Sequence, residues 1–287
     1  MDAYASTGIF GFKDMPEDLP PKGVEHGSLE HVLFITLTVA IDYQRDATVL
    51  WDASRRSYED TETRYLFDPR LVHEARAAKV LEDMRRYGLS KKPKKDAWIW
   101  RTVAVTFHKK WGGDPRRMLE HLDWDAPRVL ASLRDGRHAE RNKQALDFPY
   151  LGGKKIGPLW LRMLRDNVGI SKLRNMDQVD LPIDVHVARA TLCLGVIRGK
   201  YEGDLETAYE KMRRAWAEAV RGLRHKKDER QVIALDLDEA LWGLSRYGCT
   251  HRNVETGACP KFDQCPMREL CWRGSIQVGS SGIKMDS

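Results

Sequence analysis

The chain has 287 residues, of which 42% are hydrophobic and 31% charged, and its 48 Lys and Arg outnumber its 42 Asp and Glu by six. This composition is typical of a globular protein and excludes a chain that is disordered throughout. The length predicts about two domains. No apolar run reaches the roughly 18 residues of a membrane-spanning helix. Residues 1–12 lack the charged and apolar regions of a secretory signal, so we expect a protein that is neither membrane-bound nor secreted.

The spacing of apolar residues predicts an almost entirely helical chain. Residues 29–42 are apolar, and although FITLTV within them favours a strand by propensity, the length of the segment favours a buried helix. Residues 91–95 (KKPKK) are expected to form a basic loop, and the Gly- and Ser-rich last fourteen residues a flexible tail. Further helices are predicted over residues 69–87, 97–110, 126–135, 205–224 and 234–246.

Four of the five cysteines fall in one 23-residue window with the spacing C-x9-C-x5-C-x5-C: Cys249, Cys259, Cys265 and Cys271. Clustered thiolates are soft ligands and indicate a metal or iron–sulfur site. A zinc site usually contains two closely spaced cysteine pairs, so these gaps favour an iron–sulfur cluster and leave zinc as the alternative. Four unligated thiols are the plain interpretation. The fifth cysteine, Cys193, lies in an apolar segment and is predicted to be part of the core.

A glycine turn precedes an apolar helix in residues 148–165, FPYLGGKKIGPLWLRMLR. Gly152 and Gly153 form the turn, and Lys154 and Lys155 come directly before the helix. Backbone N–H groups at the start of a helix suit a phosphate, and the two lysines add positive charge there. Glycines beside lysines are also common on ordinary surfaces, so this pattern alone is a weak signal.

Residues 181–192, LPIDVHVARATL, contain a second helix start, marked by Pro182 and Asp184. In the plain interpretation Asp184 is an N-terminal carboxylate favoured by the helix dipole, and His186 is a packed or capping histidine. Taken alone, this segment favours that structural interpretation.

Together these features resemble the helix–hairpin–helix DNA glycosylases (the HhH-GPD superfamily), in particular the iron–sulfur branch that includes endonuclease III and MutY. LGGKKIG is similar to the family pattern G-x-G-x-K-T-A, and PIDVHVAR to V-D-T-H-x-x-R. CPMRELC matches the spacing of the last two cluster ligands. The resemblance covers residues 28–272 with the motifs in the same order. It departs at Leu151, which replaces the first glycine, and at the first two cysteine gaps, which are longer.

The resemblance implies an all-α, two-lobed helix–hairpin–helix DNA glycosylase fold with a C-terminal iron–sulfur cluster loop. One lobe, residues 28–175, would be a helical bundle that ends in the helix–hairpin–helix. The other would combine residues 1–27 with 176–272 and carry the cluster loop, followed by the tail at 273–287. The cofactor would be a 4Fe–4S iron–sulfur cluster, with zinc as the alternative, held by Cys249, Cys259, Cys265 and Cys271.

The resemblance also assigns roles to the motif residues. Asp184 would stabilise the positive charge that develops on the deoxyribose when the base leaves. Lys155 would be the nucleophile of a Schiff-base lyase step, or Lys154 if the register slips by one residue. Gln44 would fill the space left by a flipped base. The residues expected to contact DNA are Gly152, Gly153, Lys154, His186 and Gln44.

The expected partner is double-stranded DNA with a flipped base, bound by a monomer in the cytoplasm at the nucleoid. Basic runs at 91–95, 108–110, 137–143 and 153–155 are candidate phosphate contacts. The aromatic residues considered for stacking on the flipped base, with core packing as the commoner interpretation, are Trp51, Tyr58, Tyr65 and Trp160.

Three functional hypotheses follow from the sequence. The first is a DNA glycosylase that excises a damaged or modified base, with or without an AP lyase step. The second is a non-catalytic iron–sulfur nucleic-acid-binding protein on the same scaffold, and the third is an RNA-directed enzyme. The sequence does not determine which base is excised.

Overall fold

The computed structural model describes residue 4 and residues 8–137, 146–199, 201–202, 205–272, 274–279 and 282–286. These residues are mainly helical, which confirms the predicted all-α fold class. The chain divides into two compact units, one formed by Pro16–Gln178 and the other by Met1–Met15 with Val179–Ser287. The sequence-based lobes were bounded at residues 27 and 175 instead. Within the described residues, no helix is both long and apolar enough to span a membrane.

The unit Pro16–Gln178 is a helical bundle. Short 3-10 helices at Arg64–Phe67 and Met176–Gln178 supplement its α-helices. In chain order these are α1 (Leu29–Val39), α2 (Ala47–Glu59), α3 (Pro69–Glu74), α4 (Ala77–Arg86), α5 (Pro93–Trp111), α6 (Pro115–His121), α7 (Ala126–Asp135) and α8 (Ile156–Asp166).

The core of this unit is built around α1, whose side chains from His31 to Val39 are all buried. The helix begins at Ser28, whose hydroxyl accepts a hydrogen bond from the His31 N–H. Thr36 donates its hydroxyl hydrogen bond to the Val32 carbonyl, so this buried polar group is satisfied inside the helix. Burial on all sides therefore outweighs the strand propensity of FITLTV, and the predicted helix is confirmed. Phe34 of this helix packs against Trp51, Tyr58 and Phe67, and Phe67 in turn packs against Trp100.

Several element boundaries in this unit differ from the prediction. Helix α2 was not predicted from the sequence, although Asp46 caps it by accepting from the Val49 N–H. The helix predicted over 69–87 is two helices, because Ala75 and Arg76 are extended between α3 and α4. The expected loop at 91–95 is wrong in its second half, because Pro93 starts α5. Proline is well suited to a first helical position, where its missing N–H is not needed.

The second unit contains three α-helices among its described residues: α9 (Val185–Cys193), α10 (Leu205–Ala219) and α11 (Asp238–Tyr247). Three 3-10 helices accompany them at Ala234–Leu237, Cys249–His251 and Arg268–Leu270. The predicted helices over 205–224 and 234–246 are therefore present. α10 ends earlier than predicted, at Ala219, and α11 starts later than predicted, at Asp238. The buried core includes Leu181, Ile183, Val187, Leu192, Met212 and Leu244.

The C-terminal residues form an antiparallel sheet, which corrects the predicted flexible tail at 273–287. Strands β1 (Tyr201–Glu202), β2 (Ser275–Gly279) and β3 (Gly282–Asp286) lie in the order β1-β3-β2. Ile276 pairs with Met285, and Ile276, Ile283 and Met285 are all buried. These apolar residues recur at every second position of their strands, so they face one side of the sheet. Glycine and serine content concealed this alternation.

Candidate functional site

The glycine turn predicted at residues 152–153 packs tightly against α7. A Cβ atom at Gly152 would lie 2.5 Å from the Leu133 carbonyl oxygen, and one at Gly157 would lie 2.8 Å from the Leu130 side chain. The turn is closed by a hydrogen bond from the Gly153 N–H to the Tyr150 carbonyl at 2.9 Å. Gly152 and Gly157 are therefore required for the close approach of the turn and α8 to α7. The structure thus contains a helix, a hairpin-like turn and a helix at the predicted place.

The two hairpin lysines have different surroundings. Lys154 is exposed, whereas Lys155 is half-buried and its Nζ lies 3.3 Å from the Asp42 carbonyl oxygen, to which it donates. Lys155 is also the N-cap residue of α8, and no side chain forms a capping hydrogen bond there. The start of α8 therefore presents positive charge from the helix dipole and from both lysines.

The loop after α1 brings Gln44 to the basic segment at 91–95. Gln44 is exposed and has a left-handed backbone conformation, with φ of 50°. Its carbonyl accepts from Lys91 Nζ at 2.7 Å, and its side-chain oxygen accepts from Lys92 Nζ at 2.6 Å. Since Asp42 in the same loop accepts from Lys155, the structure brings together three predicted features: Gln44, the basic segment and the hairpin.

Two tyrosines that are not among the predicted site residues connect these features. Tyr43 and Tyr150 stack with ring centroids 4.4 Å apart, and Lys95 Nζ lies 4.7 Å from the Tyr150 centroid and 5.3 Å from that of Tyr43. Each tyrosine stands next to a selected motif, but neither belongs to a recognisable pattern. We call Tyr43, Gln44, Lys92, Lys95, Tyr150 and Lys155 the hairpin surface.

Asp96 holds the basic part of the hairpin surface in place. It is 1% exposed and accepts hydrogen bonds from the Tyr43 hydroxyl, the Ser90 hydroxyl and the N–H groups of Lys91 and Lys92. Burial of the phenol, together with the hydrogen bond to Asp96, raises the pKa of Tyr43 well above its ordinary value. The phenol therefore remains a neutral hydrogen-bond donor.

Several other residues predicted to contact nucleic acid are buried, form ion pairs or lie outside the described residues. Lys110 of the 108–110 run forms an ion pair with Asp147, and residues 138–143 of the 137–143 run lie outside the described residues. Trp51 and Trp160 are fully buried in the core, so stacking on a flipped base is wrong for both. Tyr58 is also buried, and Tyr65 donates its hydroxyl to Asp83. The core interpretation is therefore confirmed for Trp51, Trp160 and Tyr58, whereas Tyr65 is half-buried.

Asp184 occupies the start of α9, as predicted. Its Oδ1 accepts from the N–H groups of His186 at 2.8 Å and Val187 at 2.9 Å, which fixes the orientation of the carboxylate. His186 is half-buried, with its ring centroid 5.4 Å from that of Trp242 and its Nδ1 3.4 Å from the Ser245 hydroxyl. The histidine therefore packs on α11, while Asp184 caps α9.

The cysteine segment, residues 249–271, places its sulfurs close enough to influence one another. A hydrogen bond with Cys193 and burial raise the pKa of Cys249, with further contributions from Cys265 and Cys271. Burial also raises the pKa of Cys265 and of Cys271. Cys193 is buried, as predicted, but it contacts the segment rather than apolar side chains alone.

The donor set of the segment fits an iron–sulfur cluster, because four thiols of one segment supply the ligands such a cluster requires. In the part of the chain that the structure describes, no three His, Cys, Asp or Glu side chains are arranged to hold a single metal ion. Arg252 Nη1 lies 3.5 Å from Cys271 Sγ, to which it donates. A hydrogen bond from arginine is of the kind that stabilises a ligating thiolate.

Two solved structures of endonuclease III with DNA are similar to the chain. A non-covalent endonuclease III–DNA complex is 13% identical, with 83% of this chain and 82% of that chain covered and a TM-score of 0.47. A trapped endonuclease III–DNA covalent intermediate, an estranged-adenine complex, is 14% identical, with 83% of each chain covered and a TM-score of 0.47. No protein-family profile matches the chain, and no curated protein sequence matches it significantly.

Proposed function

We propose that the protein is a DNA glycosylase of the helix–hairpin–helix superfamily that flips a damaged or modified base out of double-stranded DNA and cleaves its N-glycosidic bond. The observation that carries this proposal is the hairpin. Gly152 and Gly157 allow the turn and α8 to pack on α7, and the start of α8 combines an absent side-chain cap with Lys154 and Lys155. A phosphate of the DNA backbone suits that position.

The hairpin surface supplies the other DNA contacts in this proposal. Lys92 and Lys95 offer phosphate contacts, and exposed Gln44 fills the space left by the flipped base. Gly152, Gly153 and Lys154 contact the backbone at the turn, and His186 contacts DNA from the start of α9. The protein acts as a monomer in the cytoplasm, at the nucleoid.

Asp184 is the proposed catalytic carboxylate. Loss of the base leaves positive charge on the deoxyribose, and a negative group of fixed orientation stabilises that charge. The two N–H groups that hold Asp184 Oδ1 supply the fixed orientation without a mobile side chain.

Lys155 is the proposed nucleophile of an accompanying lyase step, with Lys154 as the alternative. The neutral amine bonds to C1′ of the sugar as the bond to the base breaks, and the base leaves with the electron pair and takes up the proton that the amine loses. Opening of the sugar ring at the C1′–O bond then gives the Schiff base, and loss of a C2′ proton expels the 3′ phosphate and cleaves the strand. Lys155 is favoured over exposed Lys154 because it is half-buried and its hydrogen bond to the Asp42 carbonyl holds its Nζ in place.

The cysteine segment is proposed to hold a 4Fe–4S cluster through Cys249, Cys259, Cys265 and Cys271, with zinc as the alternative. When bound, the cluster supplies structural order to the segment and no step of base excision. Iron and zinc content of anaerobically purified protein distinguishes the two: stoichiometric zinc without iron would select zinc.

The decisive experiment is mass spectrometry of free bases released from duplexes with oxidised, deaminated, alkylated or virus-type modified bases. We expect release by the parent protein and none by Asp184→Asn, with DNA affinity retained. Lys155→Gln and Lys154→Gln form a matched pair, and only Lys155→Gln should lose strand cleavage. Undiminished release by Asp184→Asn would remove Asp184 from the mechanism. Silence across the whole panel, with binding intact, would favour a non-catalytic nucleic-acid-binding protein.

A further inference from the structure

A second basic surface lies on the unit Pro16–Gln178, apart from the hairpin surface. A cavity of about 580 Å³ lies along α5, and His73 and Leu81 contribute to its other wall. We call it the α5 groove. Of the seven residues that α5 contributes, five recur at intervals of three or four, as expected for one face of a helix: Lys94, Trp98, Arg101, Val105 and Lys109.

The α5 groove combines an exposed aromatic ring with positive charge. Trp98 is 47% exposed, although large aromatic side chains are favoured in a core. Lys94, Arg101 and Lys109 carry positive charge, and no acidic residue is found among the described residues that line the groove. An exposed ring beside three cations, with no carboxylate in the described lining to neutralise them, is suited to an anionic ligand that has an aromatic part.

We propose that the α5 groove binds a single-stranded nucleic acid, with a base stacked on Trp98 and phosphates contacting Lys94, Arg101 and Lys109. Aromatic platforms between cations are the usual means of binding single strands without sequence preference. From Lys94 to Lys109 the helix rises about 22 Å. That length exceeds a single phosphate and accommodates several nucleotides.

Two further arguments favour a nucleic acid over an acidic peptide. A peptide of Asp and Glu would pair with the cations but would place no flat ring on Trp98. The groove and the hairpin surface also share one helix: Lys94 lines the groove, while the next residue, Lys95, lies over Tyr43 and Tyr150. A nucleic-acid strand bound in the groove can therefore extend to the cations of the hairpin surface. This binding site does not depend on the glycosylase activity proposed above.

The test uses the full chain and a fluorescein-labelled oligothymidylate of twelve nucleotides, with binding followed by anisotropy. Trp98→Ala should weaken binding by about fivefold to a hundredfold, and Trp98→Phe should restore most of it, because one stacked base is lost in the first variant only. Lys109→Gln should reduce the slope of log affinity against log salt by about 0.7. Lys227→Gln, at an exposed lysine outside the groove, is the matched control and should change neither value.

Three outcomes would overturn the proposal. Parent-like affinity of Trp98→Ala would show that the oligonucleotide binds elsewhere, for example at the hairpin surface. A slope of log affinity against log salt as steep in Lys109→Gln as in Lys227→Gln would show that Lys109 contacts no phosphate of the oligonucleotide. Competition by poly-glutamate at lower concentration than by unlabelled oligothymidylate would assign the groove to an acidic peptide. Far-ultraviolet circular dichroism and thermal unfolding confirm that each variant is folded.

Two variants separate this proposal from the glycosylase. Trp98→Ala should still release bases from duplex DNA at the parent rate, while Asp184→Asn should bind the oligonucleotide with parent affinity. Failure of the groove therefore leaves base release intact, and failure of base release leaves the groove intact.

Discussion

The hairpin surface and the cysteine segment are organised in opposite ways. At the hairpin surface, charged and aromatic side chains hold one another, and a carboxylate that is 1% exposed, Asp96, receives four hydrogen bonds. The only helices in the cysteine segment are two 3-10 helices of three residues each. Apart from one glycine, Arg252 is its only buried residue. The first region is built by the folded chain itself. The second has too little core of its own and is expected to depend on a bound cluster.

The largest effect predicted from this comparison is the loss of the cysteine segment on removal of one ligand. In Cys265→Ser we expect iron to be lost and residues 249–271 to exchange amide hydrogens rapidly, with residues 148–166 protected as in the parent. Hydrogen exchange with mass spectrometry and iron analysis measure both. Cys193→Ser is the matched control, because Cys193 contacts Cys249 but is not a proposed ligand. Equal iron in the parent and Cys265→Ser would contradict the assignment.

Removing Asp96 tests the hairpin surface in the same way. Asp96→Ala deletes the buried acceptor of four hydrogen bonds from half-buried or exposed residues, so the free energy of unfolding should fall by about 3 kcal/mol. Denaturant unfolding measures it. Asp177→Ala, at an exposed aspartate of the same unit, should change it by less than about 0.5 kcal/mol. A similar small change in both variants would mean that the hairpin surface is not organised by Asp96.

Acid should weaken the unit that carries the hairpin by a route independent of the cysteines. Burial, with a smaller contribution from His26, lowers the pKa of His31 to about 4. Between about pH 6.5 and 4 the unfolded chain therefore binds a proton that the folded chain does not, so stability falls as the pH falls through this window. The expected loss is up to about 3 kcal/mol.

Urea unfolding at pH 7 and at pH 4.5 measures this loss. His31→Leu should flatten the pH dependence, because no titratable group remains at the buried position. If the pH dependence of His31→Leu equals that of the parent, the titration lies elsewhere.

Features that depend on neighbouring residues could be predicted from the sequence, whereas features that depend on contacts between distant residues could not. Asp184 at a helix start and Gly152 in a tight turn are local features, and the pattern of neighbouring residues predicted both. The break between α3 and α4 has no proline or glycine to mark it, and packing in the folded unit decides it. The contacts of Lys95 with Tyr43 and Tyr150 join three distant parts of the chain, so no local pattern reveals them.

The β2–β3 pair shows a different limit. Its apolar residues alternate over only two positions in each strand, Ile276 with Val278 and Ile283 with Met285. Two alternating apolar positions are too few to predict a strand, because the many Gly and Ser residues around them favour a flexible segment. Its pairing is set by contacts between the two strands, so the local sequence predicts a flexible tail where the structure has a sheet.

The smallest predicted effect tests whether Lys95 contacts DNA or only stabilises the fold. Lys95→Gln removes the positive charge over Tyr43 and Tyr150, and Lys172→Gln removes an equivalent charge that lies 5.2 Å from the ring centroid of Trp124. Each variant should lose about 0.5 kcal/mol of stability, as expected for an exposed cation–π pair. Only Lys95→Gln should also reduce the slope of log duplex affinity against log salt, by about 0.9. Equal slopes in the two variants would show that Lys95 contacts only the two tyrosines. A lysine that contacts a DNA phosphate displaces a counterion, so its loss lowers the slope.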